Sequence, residues 1–476
     1  MLALLTIWFS LVPSVVYFFW ELESKNITPF MALTGSFYGI FFGFSVFLAH
    51  FMYKDNLGGI YFYLNEYTAT NKSAYISEIS TTAQFIVLIG IVLHLTAWGL
   101  TLTLKPRFDP CFSLRQPDRP WQTIVLAGVL IALYLVFVTF PQVRMFPSLG
   151  QFVVPAGYVG FGLLFVLAIK NEMGAWLKWI LILGVIPLWL LSMVVTGFLS
   201  PAFLAIIYLA ILFKFVRKHF PWGILLLAVA IFSALYPVMN RYRAYSWQYE
   251  KRLELGIVEY EPHRSLVSKA KLLGKVLGQL YLNHEPPEYY VSKSNGIFVS
   301  QGLLQRTAGL VLFNYVYNKT PSAVAYWSGE TYLPLLTNWV PRVFWTEKPR
   351  EETGNKFGRR YNIVAPSDRG MSINLPWITE FYANFGTLGV LFGMAFVGLF
   401  MGALERFFLH QNLPASSITT GWAILLPLFS QESNLSLMLG SLPLLALCLW
   451  VYFSMGTYLV EKVQKMIQSR VSIHRW

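Results

Sequence analysis

The sequence predicts an all-α polytopic membrane protein, with about 11 transmembrane helices and one large, partly helical extracytoplasmic loop. Three observations predict it. Of 476 residues, 56% are hydrophobic and 17% aromatic. Only 12% are charged, about half the ~25% of a soluble globular chain and too few to cover a soluble surface. The apolar residues come in long unbroken runs, and a helix needs ~20 of them to cross a bilayer core of ~30 Å. The same composition excludes wholesale disorder, which is charge-rich and poor in aromatics. The runs do not alternate as transmembrane β-strands do. Two cysteines exclude a disulfide scaffold and argue against a thiolate zinc site.

Spans are expected near 2–20, 29–53, 83–104, 121–141, 151–169, 176–197, 201–213, 222–238, 381–404, 419–430 and 436–460. The seventh and tenth are short. The first lacks a basic leader and a small-residue cleavage site, so it is expected to be a retained helix. Lysine and arginine in short loops set the direction. One side holds Lys25, Lys105, Arg107, Arg115, Arg119, Lys170, Lys178, Lys214, Arg217, Lys218, Arg406, Lys462, Lys465, Arg470 and Arg475. The other holds only Lys54, Lys72 and Arg144. The basic side is expected to be cytoplasmic, with the N-terminus outside and the C-terminus inside. Cys111 then falls in a cytoplasmic loop and Cys448 in the last span, so they should not pair.

Three segments follow: an N-terminal transmembrane bundle of about eight spans (1–240), the large outer loop (241–380), and the C-terminal helices with a short cytoplasmic tail (381–476). The loop carries 18 Lys/Arg and 12 Asp/Glu. Long loops escape the charge rule. This one is rich in Trp, Tyr, Leu and Phe, so it is expected to be ordered and functional. Leu272, Leu273, Val276, Leu277 and Leu280 share one helical face, suited either to a membrane surface or to packing on the bundle. His284-Glu285-Pro286-Pro287 breaks that pattern. A second apolar helix, 302–317, carries one charge, Arg306. An irregular stretch rich in Pro, Gly, Trp and Arg runs from 320 to 376.

Several soluble-enzyme signatures are absent: the Walker loop, the dinucleotide glycine fingerprint, HExxH and G-x-S-x-G. The seven histidines are scattered, which gives a metal cluster no support. Nucleic acid is not an expected partner, because much of the net charge of +13 satisfies the inside-positive bias. What the loop offers is arginine beside aromatics: Arg241, Arg243, Arg306, Arg342, Arg359, Arg360 and Arg369. The guanidinium fork suits phosphate and pyrophosphate, and aromatic faces suit sugar rings and the membrane interface. An arginine-rich pocket at the outer leaflet therefore fits a lipid-linked pyrophosphate sugar.

Each residue also has a plainer reading. Arg241 and Arg243 are either ligands or interfacial anchors. Arg306, alone on an apolar helix, needs a buried partner or an anionic ligand. Arg342 either binds substrate or pairs with Glu347 or Glu330. Arg359 and Arg360 are expected to be solvated, and His263 and His284 to be loop residues. His94 is expected to be a hydrogen-bonded helix contact. Glu432 is either a helix-end residue or a substrate contact. Glu380 opens the ninth span, where the helix dipole favours a carboxylate, and it is equally placed to take a proton from a sugar hydroxyl. Asn384 lies one turn further on the same face. Gly389-x-x-x-Gly393 and Gly398-x-x-x-Gly402 predict tight helix packing.

Two strings carry a family resemblance: Val340-Pro-Arg-Val-Phe-Trp-Thr-Glu-Lys-Pro349 and Glu380-Phe-Tyr-Ala-Asn-Phe-Gly-Thr-Leu-Gly389. They resemble the P-R-x-x-W-x-x-K-P and E-x-Y-x-N-F-G-x-x-G stretches of the bacterial oligosaccharide repeat-unit polymerases, the Wzy-type O-antigen polymerase family. Arg306 resembles a recurrent arginine ahead of them. The likeness covers roughly 302–402 and the general topology. It implies transfer of a growing glycan from undecaprenyl pyrophosphate to a sugar hydroxyl on the next lipid-linked unit, at the outer leaflet of the plasma (inner) membrane. Neither a cofactor nor a metal is implied. Membrane lipids, a flippase and a chain-length regulator are the implied partners. On this reading Arg306, Arg342 and Glu380 are catalytic, the arginines stabilising the departing pyrophosphate. Arg241, Arg243, Lys348, Arg369, Tyr382 and Asn384 bind substrate. The alternatives are an O-antigen-ligase-like glycosyltransferase and, behind it, a transporter or flippase of lipid-linked sugars. Transporters place ionisable groups near the midplane and show repeats, and neither feature is visible here.

Overall fold

The computed structural model describes residues 30–44, 61–67, 72–104, 111–144, 149–254, 266–281, 309–342, 344–410 and 413–473. Within these the architecture is helical. Seven helices are long and apolar enough to cross a membrane, and three shorter apolar helices, Phe30–Gly43, Trp222–Tyr236 and Ala415–Ser430, fall at three more expected spans. The expected span at 2–20 lies outside the described residues. The seventh span is longer than its apolar core, because the helix runs from Ser200 to Arg217. Among the described residues the one sheet is an antiparallel hairpin in the loop after the second span. Its strands are β1 (Tyr61–Tyr67) and β2 (Lys72–Glu78), with Tyr61 opposite Glu78 and Tyr67 opposite Lys72. Neither segment alternates cleanly, so neither announces a strand.

The chain forms two units that interleave in sequence. The first joins Met1–Leu114 to Gly302–Tyr452, and the second joins Arg115–Gln301 to Phe453–Trp476.

The second unit is a helix bundle. Helix α3 (Pro120–Thr139) packs antiparallel on α4 (Gly150–Lys170). Gly157 and Gly160 make that possible: a Cβ on the first would meet the Tyr134 ring at 2.6 Å, and one on the second would meet the Ala127 carbonyl at 2.9 Å. Next come α5 (Ala175–Val194) and α6 (Ser200–Arg217), with Trp189 of α5 stacked on Phe161 of α4 at 4.3 Å. Helix α7 (Trp222–Glu254) does not stop where its apolar part ends. It continues through Arg241 and Arg243, which therefore stand on a helix, although their side chains lie outside the described residues. Helix α8 (Leu266–Tyr281) packs on α7. It buries Leu273 and Val276 and leaves Lys271 and Lys275 exposed. The expected apolar face exists, and it is spent on a neighbouring helix.

The first unit holds α1 (Phe30–Tyr38), α2 (Thr81–Thr103), α9 (Gly309–Lys319), α10 (Thr353–Arg360), α11 (Trp377–Phe408), α12 (Ala415–Leu425) and α13 (Leu435–Leu439). It also holds the start of α14 (Leu442–Ile473). Helices α2 and α11 form its spine and run parallel. Gly398 faces the His94 carbonyl, and Gly402 faces Trp98 and Thr101, so close that neither position has room for a Cβ. Buried polar groups cross the same seam. The Trp98 indole donates to Glu405 Oε2 at 2.7 Å. His94 contacts the Met394 carbonyl through Nδ1 and Gln431 through Nε2, both at 3.2 Å. His94 is thus the helix contact its sequence position suggested. Helix α9 packs on both spine helices, and Asn314 Oδ1 accepts the Ser80 N–H at the head of α2 at 2.9 Å.

Candidate functional site at the head of α11

Helix α11 is two helices in series. Gly386 has φ 65° and ψ −153°, a region open essentially to glycine alone. The break leaves carbonyls of the first half without partners. The turn at 327–329 supplies them: Trp327 N–H donates to the Ala383 carbonyl at 3.1 Å and Ser328 N–H to the Asn384 carbonyl at 3.3 Å. The Asn384 side chain completes the joint. Its Oδ1 accepts Gly329 N–H at 2.8 Å, and its Nδ2 donates to Thr331 Oγ1 and to the Glu380 carbonyl, each at 2.8 Å. The first half folds against the second, so Gly389 and Gly393 accommodate Phe381 of their own helix. Those two glycines were expected to admit a neighbouring helix. Only Gly398 and Gly402 do that.

Glu380 is fully buried in this first half. Its Oε2 accepts the Leu435 N–H, the first of α13, at 2.7 Å. Its Oε1 has no hydrogen bond of standard geometry among the described residues, although the Thr331 side chain lies within interaction range of the carboxylate. A second carboxylate reaches the same point. Glu351 Oε1 accepts from Asn434 Nδ2 at 3.1 Å, and Oε2 accepts from Asn338 Nδ2 at 3.0 Å and from Ser436 Oγ at 3.3 Å. Residues 434–436 therefore carry both acids, and the charge of Glu351 is felt at Glu380. Sequence reading did not single out Glu351. It sits in a run of charges, Lys348 to Glu352, that looks like ordinary solvated loop, and nothing local marks its reach to 434.

The loop 338–349 is closed by its two basic residues. Arg342 donates to the carbonyls of Lys348 at 2.5 Å and Pro349 at 3.0 Å. Lys348 returns the bond, donating from Nζ to the carbonyls of Asn338 at 3.1 Å and Val340 at 3.0 Å. Burial first, then the Arg342 charge, holds the Lys348 ammonium below its ordinary value, while Glu351 pulls it back. Arg342 pairs with neither Glu347 nor Glu330. Glu330 instead meets Arg360 at 3.5 Å. Arg360 was expected to be solvated. It lies over the Trp327 ring at 4.2 Å and donates to the Ala325 carbonyl at 2.9 Å, a cation–π stack that fixes the turn at the joint. Arg359 Nε donates to Asn355 Oδ1 at 2.9 Å.

Of the expected site residues, Glu380, Asn384, Arg342 and Lys348 fall in this one network with Glu351. Tyr382 is buried nearby on α11, its ring against Phe313 at 5.2 Å and Tyr317 at 5.6 Å. Arg369 is exposed. Arg306 lies outside the described residues. Comparison of the chain with protein families, with curated proteins and with solved structures found no match.

Proposed function

We propose that this chain is a membrane glycosyltransferase that joins lipid-linked oligosaccharide units into a surface polysaccharide at the outer leaflet of the bacterial plasma membrane. The donor is a glycan on undecaprenyl pyrophosphate, and the acceptor is a sugar hydroxyl on the next lipid-linked unit. One observation carries the reading. The two strings that resemble the Wzy-type polymerases lie some 30 residues apart in sequence, and residues 434–436 bond to Glu380, which opens the second, and to Asn338 and Glu351, which flank the first. The first string leads directly into Glu351, and the second begins at Glu380.

The chemistry follows from the groups present. The acceptor oxygen attacks the anomeric carbon of the donor, the bond from that carbon to the pyrophosphate breaks, and the hydroxyl proton needs a base. Glu380 fits that need: one oxygen is fixed by a backbone N–H, and the other is buried with no hydrogen bond of standard geometry. A buried carboxylate oxygen left unpaired is costly unless it takes up a proton or a ligand. Arg342 and Lys348 bring positive charge to the neighbouring loop, where charge develops on the leaving pyrophosphate. Holding two lipid-anchored substrates together contributes much of the rest.

Deleting the gene and resolving surface polysaccharide on gels tests this. The reading expects the polymer ladder to vanish while a single repeat unit remains. Loss of all attached glycan would point instead to a ligase, and an unchanged ladder would end the proposal.

A further inference from the structure

Outside the candidate spans, large exposed apolar side chains concentrate in one segment. Leu333 is 60% exposed, Leu336 72%, Trp339 54%, Phe344 81% and Trp345 39%. Ordinary loops of a folded domain do not collect such a patch unless something apolar covers it. The same unit carries a second exposed stripe, on the second half of α11: Leu388, Phe392, Phe396 and Leu399, at helical spacing. On a membrane-crossing helix, that stripe is the face turned to lipid.

One ring contact links the two surfaces. Phe385, half exposed, leads the α11 stripe, and the Tyr332 ring stacks on it at 6.2 Å and 21°. Tyr332 directly precedes Leu333. At the far end the apolar run stops abruptly: Glu347, Arg350 and Glu352 are all exposed and charged. Aromatic residues followed by a charged margin mark a chain lying at the level of lipid headgroups.

We infer that Leu333, Leu336, Trp339, Phe344 and Trp345 lie in the bilayer interface beside α11, their side chains seated among the lipids. The occupant of this surface is the membrane itself. The inference needs only a bilayer around α11 and stands apart from any reaction. If the glycosyl-transfer reading holds as well, the seat lies where a lipid-borne substrate nears Glu380, since Tyr332 touches the stripe at Phe385 and also packs on Phe381, the neighbour of Glu380.

The test uses the full chain in lipid bilayers. Cys111 and Cys448, both free, are replaced by serine. A bimane label is then placed by Phe344→Cys, by Leu336→Cys or, as a water-exposed control, by Ser367→Cys. Nitroxide lipids labelled near the headgroup should cut emission by roughly half at 344 and 336, as for side chains inserted at the interface. Aqueous iodide should act at 367 alone. Strong iodide quenching at 344 and 336, or protection from both quenchers by a covering protein, would overturn the inference. Glycan polymerisation is not read, so this outcome and that of the enzymatic reading remain separate.

Discussion

Glu380 presents two oxygens with different fates, and the difference is measurable. Glu380→Ala removes the acceptor from the buried Leu435 N–H, which should cost about 1–3 kcal/mol of stability. Glu380→Gln keeps an acceptor of the same length but cannot take a proton. The glutamine variant should therefore melt in detergent close to the parent yet make no long polymer; near-normal chain length would reduce Glu380 to a helix-capping role. Arg342 invites a different test. Both of its hydrogen bonds close its own loop, so Arg342→Ala should let a protease nick 342–349 before the bundle melts, and should shorten the product. Unaltered product length would remove it from the mechanism. The sequence marked both residues because carboxylate and guanidinium are conspicuous on an apolar background. It could not show that Arg342 spends its donors on carbonyls, because that depends on the path of the backbone. Glu351 was invisible for the opposite reason, being one charge among several.

Helix α11 shows which features of an element can be read from a string of letters. Its apolar run predicted a span, and the helix is long and apolar enough to be one. Its break was not predicted, because a glycine within a membrane helix more often signals close packing than a reversal of φ. Three facts at Gly386 fix the break: its dihedrals, the 327–329 turn that satisfies the freed carbonyls, and the Tyr326 hydroxyl 2.7 Å from where a Cβ would stand. Gly386→Ala should lower stability by about 1–3 kcal/mol, and it should abolish activity by moving Glu380 away from α13. A variant that melts and polymerises like the parent would show that the joint is not required. The hairpin β1–β2 was missed for a related reason, since its pairing comes from the partner strand and leaves little mark on either strand alone.

At the scale of the molecule, α2 and α11 run parallel along a seam of glycine and buried polar groups. Two parallel crossings of one bilayer require an odd number of crossings between them, and five apolar helices, α3 to α7, separate them in sequence. That parity agrees with the order of spans expected from sequence, and the bias of lysine and arginine predicts that the head of α11 faces outward. A membrane-impermeant maleimide should therefore label Ser367→Cys in intact cells and reach the native Cys111 only after permeabilisation; the reverse pattern would place the candidate site in the cytosol. The positions of the apolar helices were legible because hydropathy is additive along the chain. The grouping into two interleaved units was not, since it depends on which helices meet.

The most direct measurement of the central claim is polymerisation by the purified chain in proteoliposomes supplied with a polyprenyl-pyrophosphate-linked oligosaccharide. The account predicts a ladder of products from the parent protein and only single units from a folded Glu380→Gln variant. A ladder from that variant, or none from a folded parent given its cognate lipid-linked unit, would contradict it.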